Sequence, residues 1–218
     1  SEYSPDAAVH VIPNWSAFSG HKPVNKNQNT IIKKEGLSGK FIIQYSGNIG
    51  VTHNVEIIVE VADLLRYQKD IEFLIIGRGK RANKIRNLIH KKGITNCKLL
   101  PFRKDEDLYE SLCMADLAII TLDDRTPDIS VPSKTYNIMA AGVPILAIVS
   151  LSSELSDIIV KHQIGMAFEK RDLKGMFEYI LSLKNNKALV DVLSQNSLKA
   201  SQYYTMANAA RYLELYNV

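Results

Sequence analysis

Three short stretches carry residues whose types and spacing suit an anion. Ser46-Gly47-Asn48-Ile49-Gly50 is a glycine-bracketed turn, and glycine lets backbone N–H groups come close to an anion. Gly77-Arg78-Gly79-Lys80-Arg81 sets three cations in a second such turn. Val131-Pro132-Ser133-Lys134 opens a helical stretch with Pro near its first position and a lysine in its first turn. A cation there opposes the helix dipole, at a cost of about 0.3–1 kcal/mol, unless an anion is bound at the helix start. Together the three stretches imply a phosphate-bearing ligand.

Taken singly, most of these signals have a plainer reading. A glycine after a strand makes a turn with or without a ligand. Arg78, Lys80 and Arg81 read as a solvated face, and His53 as a surface residue. Asp123, Asp124 and Asp128 read as a solvated acidic loop in preference to a metal site. Tyr45 and Phe102 read as core or rim aromatics. Lys134 is where the functional reading prevails. Gly77-Arg78-Gly79-Lys80-Arg81-Ala82 matches a dinucleotide fingerprint, but it follows the second strand of the pattern. The acidic residue expected about 20 positions on is also missing, because Lys98-Leu99-Leu100-Pro101 stands there. No nucleophile–base–acid triad can be assembled. His10, His21, His53, His90 and His162 lie singly, and no His, Cys, Asp or Glu group has metal-ligand spacing.

The elements that must position these loops alternate regularly. Apolar strand-like runs fall at 41–45, 71–76, 97–100, 117–122, 143–149 and 166–168, the last at an edge. Helical periodicity lies between them: Val55 to Leu65, Ile85 to Ile89 closed by Gly93, Leu108 and Leu112 behind a capping Asp105, 135–141 closed by Gly142, and a helix opened by Ser152-Ser153-Glu154. Residues 173–218 read as helix with short breaks. Such alternation predicts an α/β, Rossmann-like doubly wound parallel sheet of about six strands with helices on both faces. Ligands of such sheets bind at the carboxyl ends of the strands. Residues 1–40 read as a connector: Val9 to Ile12 stops at Pro13-Asn14, and the polar stretch 19–38 holds no core element. Residues 41–218 read as the domain.

Composition narrows the rest. The 218 residues are 46% hydrophobic and 23% charged, which excludes a disordered or fibrous chain. A net charge of +4 is too small to argue for nucleic acid. The two cysteines form no framework and fit a reducing compartment. Val143 to Val149 is far short of the roughly 18 residues a bilayer span needs. No signal peptide is read ahead of the first strand, and the start at Ser1 without methionine is read as that of a processed chain or a piece of a larger one.

As a set, "VIPNW" at 11–15, "YSGNIG" at 45–50, "FLIIGRGKR" at 73–81, "KLLPF" at 98–102 and "VPSKTYNIMAAGVPILA" at 131–147 resemble the C-terminal, donor-binding domain of retaining GT-B glycosyltransferases. These are the glycosyl transferases group 1, or family 4. The resemblance is strongest to the branch that builds bacterial capsule and O-antigen polysaccharides, including enzymes that move N-acetylated aminosugars. It implies two Rossmann-like domains facing a cleft. The C-terminal one binds a nucleotide sugar, here a UDP-sugar, without a cofactor or essential metal. The N-terminal acceptor domain precedes this sequence, so the chain alone reads as an inactive half, with "VIPNW" as the connector and 208–218 returning toward the missing domain. The implied partners are the sugar donor, that domain, and a lipid-linked or saccharide acceptor. The implied location is cytoplasmic, at the inner face of the membrane; the basic helix 80–92 reads either as a peripheral membrane contact or as a solvated face.

Carried onto this sequence, the resemblance puts Gly47, Asn48, Ile49, Gly50, His53, Arg78, Ser133 and Lys134 at the diphosphate. It puts Phe102 and Arg103 at the nucleobase through their backbone, and Asn137 at the ribose. Asp128, Ile129, Ser130, Val131 and Pro132 fall at the sugar. Catalytic residues are expected mainly in the missing domain. The sequence departs from the family pattern where Asn48 and His53 replace a common Arg and Lys, and where Ile129 and Asn137 replace two glutamates. Two other readings remain: a binding or assembly module whose sugar site has decayed, and a nucleotide-sugar 2-epimerase, whose acidic and histidine cleft residues these loops lack.

Overall fold

The computed structural model describes residues 10–50, 53–123 and 128–216. Val9 of the connector, Asp124 of the acidic loop and the last two residues of the 173–218 helical stretch lie outside the described residues.

Six apolar runs form six strands: β1 (Phe41–Asn48), β2 (Ile71–Arg78), β3 (Cys97–Leu100), β4 (Leu117–Thr121), β5 (Ile145–Ile148) and β6 (Gly165–Phe168). Their order is β3-β2-β1-β4-β5-β6 and every neighbouring pair is parallel. The inner strands β2, β1, β4 and β5 are largely buried on both sides, as a parallel sheet covered by crossover helices must be, whereas the edge strands β3 and β6 are only partly buried. The helices are α1 (Thr30–Lys34), α2 (Glu56–Leu64), α3 (Ala82–Lys92), α4 (Asp105–Leu112), α5 (Lys134–Ala140), α6 (Glu154–His162), α7 (Leu173–Asn185), α8 (Lys187–Ser201) and α9 (Ala207–Tyr216).

Period-two alternation sorts each strand between two cores. Ile43, Tyr45, Phe73, Ile75 and Ile119 pack with Ile57 and Ile58 of α2, Ile85 of α3 and Ile180 of α7. On the opposite face, Ala118, Ile120 and Ile145 pack with Leu112, Ile138, Ile159 and Ala200 of α4, α5, α6 and α8. The caps follow the sequence in part. Gly93 closes α3 at φ 60°, and Ser153 caps α6 by accepting from Ser156 N. Asp105 does not cap α4. Lys104 holds that position without a side-chain bond, and Asp105, Glu106 and Asp107 fill the first turn, where negative charge favours the dipole.

Two further expectations fail. The stretch 19–38 is not coreless. Asn29 caps α1, accepting from Ile31 N and Ile32 N at 3.0 and 3.1 Å. Ile31, Ile32 and Leu37 then bury against Ile42, Leu74 and Ile76. A five-residue helix is too short to show a period, and it is stable here because of its packing. Residues 46–48 and 77–78, read as turns, instead prolong β1 and β2, with Gly47 paired to Gly77 and Asn48 to Arg78.

Candidate phosphate-binding site

The strand order reverses between β1 and β4, and the crevice outside their carboxyl ends is where such sheets receive ligands. β1 delivers Gly47 and Asn48 to this rim, and β4 delivers Thr121. The buried Tyr45 hydroxyl donates to Asn48 O at 2.6 Å and fixes the end of β1. Ile49 N donates to Arg78 O at 2.8 Å, and Arg81 N donates to Ile49 O at 3.1 Å. The first glycine turn is thus stitched onto the second. A Cβ on Gly77 would stand 2.0 Å from Gly47 O, and one on Gly79 would stand 2.5 Å from Ile49 O. Gly77 and Gly79 therefore serve this close approach. The amide of Ile49, expected at a diphosphate, is already spent on Arg78 O.

α5 starts at Lys134 with Ser133 as its cap residue; Ser133 makes no side-chain cap bond and is exposed. The Lys134 ammonium turns into the crevice. It sits 4.3 Å from the centre of the Tyr45 ring, and a Cβ on Gly47 would stand 3.4 Å from its Nζ. Among the described residues no carboxylate pairs with it. Burial pushes its pKa down to about 8, because desolvation disfavours the charged form. His53 joins β1 to β4, with Nδ1 3.2 Å from Thr121 O. A carbonyl only accepts, so Nδ1 carries the proton and Nε2 keeps its lone pair. Burial and, after it, the Lys134 charge hold the imidazole below its ordinary value. His53 is therefore neutral near pH 7 and does not replace the family's lysine as a fixed cation.

The remaining expected residues divide. Arg78 lies over the Phe102 ring at 5.0 Å, joining the ends of β2 and β3, with Phe102 41% exposed. Arg103 turns away: Nη2 donates to Glu35 Oε1 at 2.8 Å, so only its main chain stays at the rim. Arg81 is drawn to Glu56 at 3.5 Å. Asn137 Oδ1 accepts from Ser16 Oγ and from Ala17 N, both at 3.0 Å. Its carbonyl oxygen is therefore not open to a ribose. Asp128 Oδ2 accepts from Ser152 Oγ at 2.8 Å, and its carbonyl takes Glu154 N, which ties it to the turn after β5. Ile129 is 81% exposed. Ser130 is half-buried, Val131 packs against the second core, and Pro132 O accepts from Thr135 N. Asn48 is exposed and Gly50 half-buried at the rim. Tyr45, expected as a core or rim aromatic, is fully buried with its ring under the Lys134 ammonium; its place one residue before the glycine turn was the available signal for that position.

Among the described residues, a hollow of about 850 Å³ opens at the carboxyl ends of β4 and β5, between Asn54, Leu122, Asp128 and Ser150. A larger one, about 920 Å³, lies at the amino end of the sheet between α1, α7 and α8. Two of its lysines are already paired, Lys26 with Asp116 and Lys184 with Asp70. Among the described residues no helix is long and apolar enough to cross a membrane.

The sheet order, the crossovers and a rim gathered at the switch point define a Rossmann-like α/β domain of the kind found in GT-B glycosyltransferases. Among solved structures, HepE of Anabaena in complex with UDP-glucose superposes with a TM-score of 0.80 at 14% identity, over 96% of this chain and 57% of that one. A mutant of TarM from S. aureus, in complex with fondaparinux, alpha-GlcNAc-glycerol and UDP, superposes with a TM-score of 0.76 at 18% identity, over 100% of this chain and 41% of that one. The model of the glycosyl transferases group 1 family matches residues 27–200, and the chain belongs to that family. It is 31% identical over 140 residues to WcaI of Escherichia coli, named for colanic acid biosynthesis, covering 62% of this chain and 34% of that protein. It is 30% identical over 158 residues to WbjE of Pseudomonas aeruginosa, named as a glycosyltransferase, covering 71% of this chain and 38% of that protein. The chain spans about a third of the length of these curated relatives.

Proposed function

We propose that this chain is the donor-binding domain of a retaining glycosyltransferase, which moves a sugar from a nucleoside diphosphate, UDP, to a lipid-linked or saccharide acceptor in bacterial surface polysaccharide synthesis. The observation that carries this reading is Lys134: a desolvated ammonium at the switch point, against Gly47, with no carboxylate partner among the described residues. UDP-glucose in the HepE structure and colanic acid in the name of WcaI support it.

In such a transfer the leaving group is a nucleoside diphosphate. Catalysis by this half consists of stabilising its growing negative charge with a preorganised cation and backbone dipoles. The exposed end of β1 and Lys134 would meet the diphosphate. The Arg78–Phe102 stack and the main chain at Arg103 would border the base. Asp128 to Pro132, beside the 850 Å³ hollow, would flank the sugar. Positioning of the acceptor falls to a second domain, and the chain alone is expected to bind without transferring. Calorimetry should show UDP binding; a folded chain with no affinity for UDP would overturn the reading. A longer protein containing this chain that binds UDP-sugars, but neither hydrolyses nor transfers them, would favour the assembly-module reading that Ile129 suggests.

The site also predicts a pH dependence. UDP binding needs Lys134 protonated, and its pKa is about 8 in the free chain. At pH 9 roughly one tenth of Lys134 is charged, so between pH 7 and pH 9 UDP should lose about tenfold more affinity than uridine, which shares with it any ionisation of the base. Both pH values lie above the phosphate's own ionisation near 6. His53, held below its ordinary value, adds its charge only in acid. His53→Lys should therefore tighten UDP binding several-fold at pH 7. A flat UDP profile between pH 7 and 9 would remove Lys134 from the phosphate.

A further inference from the structure

The geometry points to Asn137 as a positioning residue: a clasp that ties residues 16–17 to the first turn of α5, so that the connector sets where the Lys134 ammonium stands. The inference rests on the donor-binding reading for what Lys134 does, but the clasp itself stands on hydrogen bonds within the chain. Asn137 lies three residues after Lys134, on the same side of α5. Its carbonyl oxygen has two acceptor sites, and both are filled from the connector, by Ser16 Oγ and by Ala17 N at 3.0 Å each.

Ser16 is 1% exposed and is held on every side. Its hydroxyl accepts from Phe18 N at 3.0 Å, its carbonyl accepts from Ser19 Oγ at 3.1 Å, and its own N–H donates to Tyr204 O at 2.9 Å. Tyr204 packs on Tyr136, the neighbour of Asn137 in α5, with ring centres 4.9 Å apart. The segment before Ser16 is tied to α9 as well: Asn208 Nδ2 donates to Pro13 O at 3.2 Å, and the Tyr212 hydroxyl donates to Ile12 O at 3.4 Å. Two strips distant in sequence therefore converge on one side chain, within one helical turn of the lysine. A glutamate at position 137, as the family pattern has it, would place a negative charge against Ser16 and Ala17. The amide accepts the same two bonds without adding that charge beside a diphosphate.

Among the described residues the Ser16 hydroxyl reaches α5 through Asn137 alone, and the backbone bond to Tyr204 O survives its removal, which makes Ser16 the clean probe. Ser16→Ala should weaken UDP binding roughly three- to tenfold and leave uridine unchanged. Asn137→Ala should do at least as much, and the double variant no more than the worse single one, since residues in one network are not additive. Unchanged UDP affinity in Ser16→Ala, or fully multiplicative losses, would overturn the clasp. If the wild-type chain binds no UDP, the donor-binding reading falls and the clasp is tested without ligand. The Lys134 titration, followed by NMR of ¹³Cε-labelled lysine, should lie near pH 8 in wild type and move toward the ordinary lysine value in both single variants, as the start of α5 loosens and water enters. Equal midpoints in all three proteins would overturn it.

Discussion

Lys134→Met is expected to weaken UDP binding about 10- to 150-fold while raising the melting temperature of the ligand-free chain. The two effects share one cause. In the free chain the ammonium is desolvated against Tyr45 and Gly47, and among the described residues no carboxylate offsets the cost. An apolar side chain of similar length removes that cost, as replacement of poorly compensated buried charges often does. With diphosphate bound, the same ammonium makes a hydrogen bond between two charged groups, which contributes about 1.5–3 kcal/mol and so roughly that range of affinity. Uridine should lose less than twofold, because it carries no diphosphate for the ammonium to meet. The stability change has its own signature. The folded chain holds the Lys134 proton more weakly than the unfolded chain does, at about 8 against 10.5. Relative to Lys134→Met, ligand-free wild type should therefore gain stability as pH climbs from 8 toward 10.5, because the buried cysteines and tyrosines, whose ionisation burial opposes, act alike in both chains. Equal losses of UDP and uridine, or a lower melting temperature with the same pH profile, would show that Lys134 holds the fold together instead.

That lysine was legible in the sequence because it breaks a rule. A cation in the first turn of a helix is unfavourable by itself, and an exception of that kind asks for an anion. The sheet was legible for a different reason. Strands buried on both faces must be continuous apolar runs, and the spacing between them must fit a crossover helix. Side-chain direction was not legible. Nothing in the spacing shows that Asn137 Oδ1 faces the connector, that Arg103 is claimed by Glu35, or that Asp128 is claimed by Ser152. Each partner is remote in sequence or comes from another loop. α1 was missed for want of length, although Asn29, its cap, is also the buried side chain whose Nδ2 reaches Glu110 O at 2.8 Å. The glycines divide similarly. Composition marks all of them as turn formers, and only the fold separates those that need a special φ from those that make room for another strand's backbone.

Gly47 and Gly77 face each other across β1 and β2, and alanine at the two positions should have opposite consequences. In Gly77→Ala the new Cβ falls 2.0 Å from Gly47 O. That neighbour is backbone, so the strands must part where Ile49 N–H···O Arg78 and Arg81 N–H···O Ile49 hold the turns together. A loss of about 3 kcal/mol or more is expected, within the range reserved for overpacking and broken networks. In Gly47→Ala the Cβ meets the flexible tip of Lys134, 3.4 Å away. The cost is backbone strain at φ 148°, about 1–3 kcal/mol for a conformation that side chains rarely adopt. Binding reverses the ranking per unit of stability lost. The Gly47 methyl occupies the space beside Nζ that a phosphate oxygen needs, so UDP affinity should fall at least tenfold in a chain that remains folded. Urea melts and UDP titrations on the same preparations decide it. A Gly77→Ala chain as stable as wild type would mean the two turns are not interlocked. A Gly47→Ala chain that binds UDP normally would mean the diphosphate does not pass between the end of β1 and Lys134, and the switch-point site would have to move.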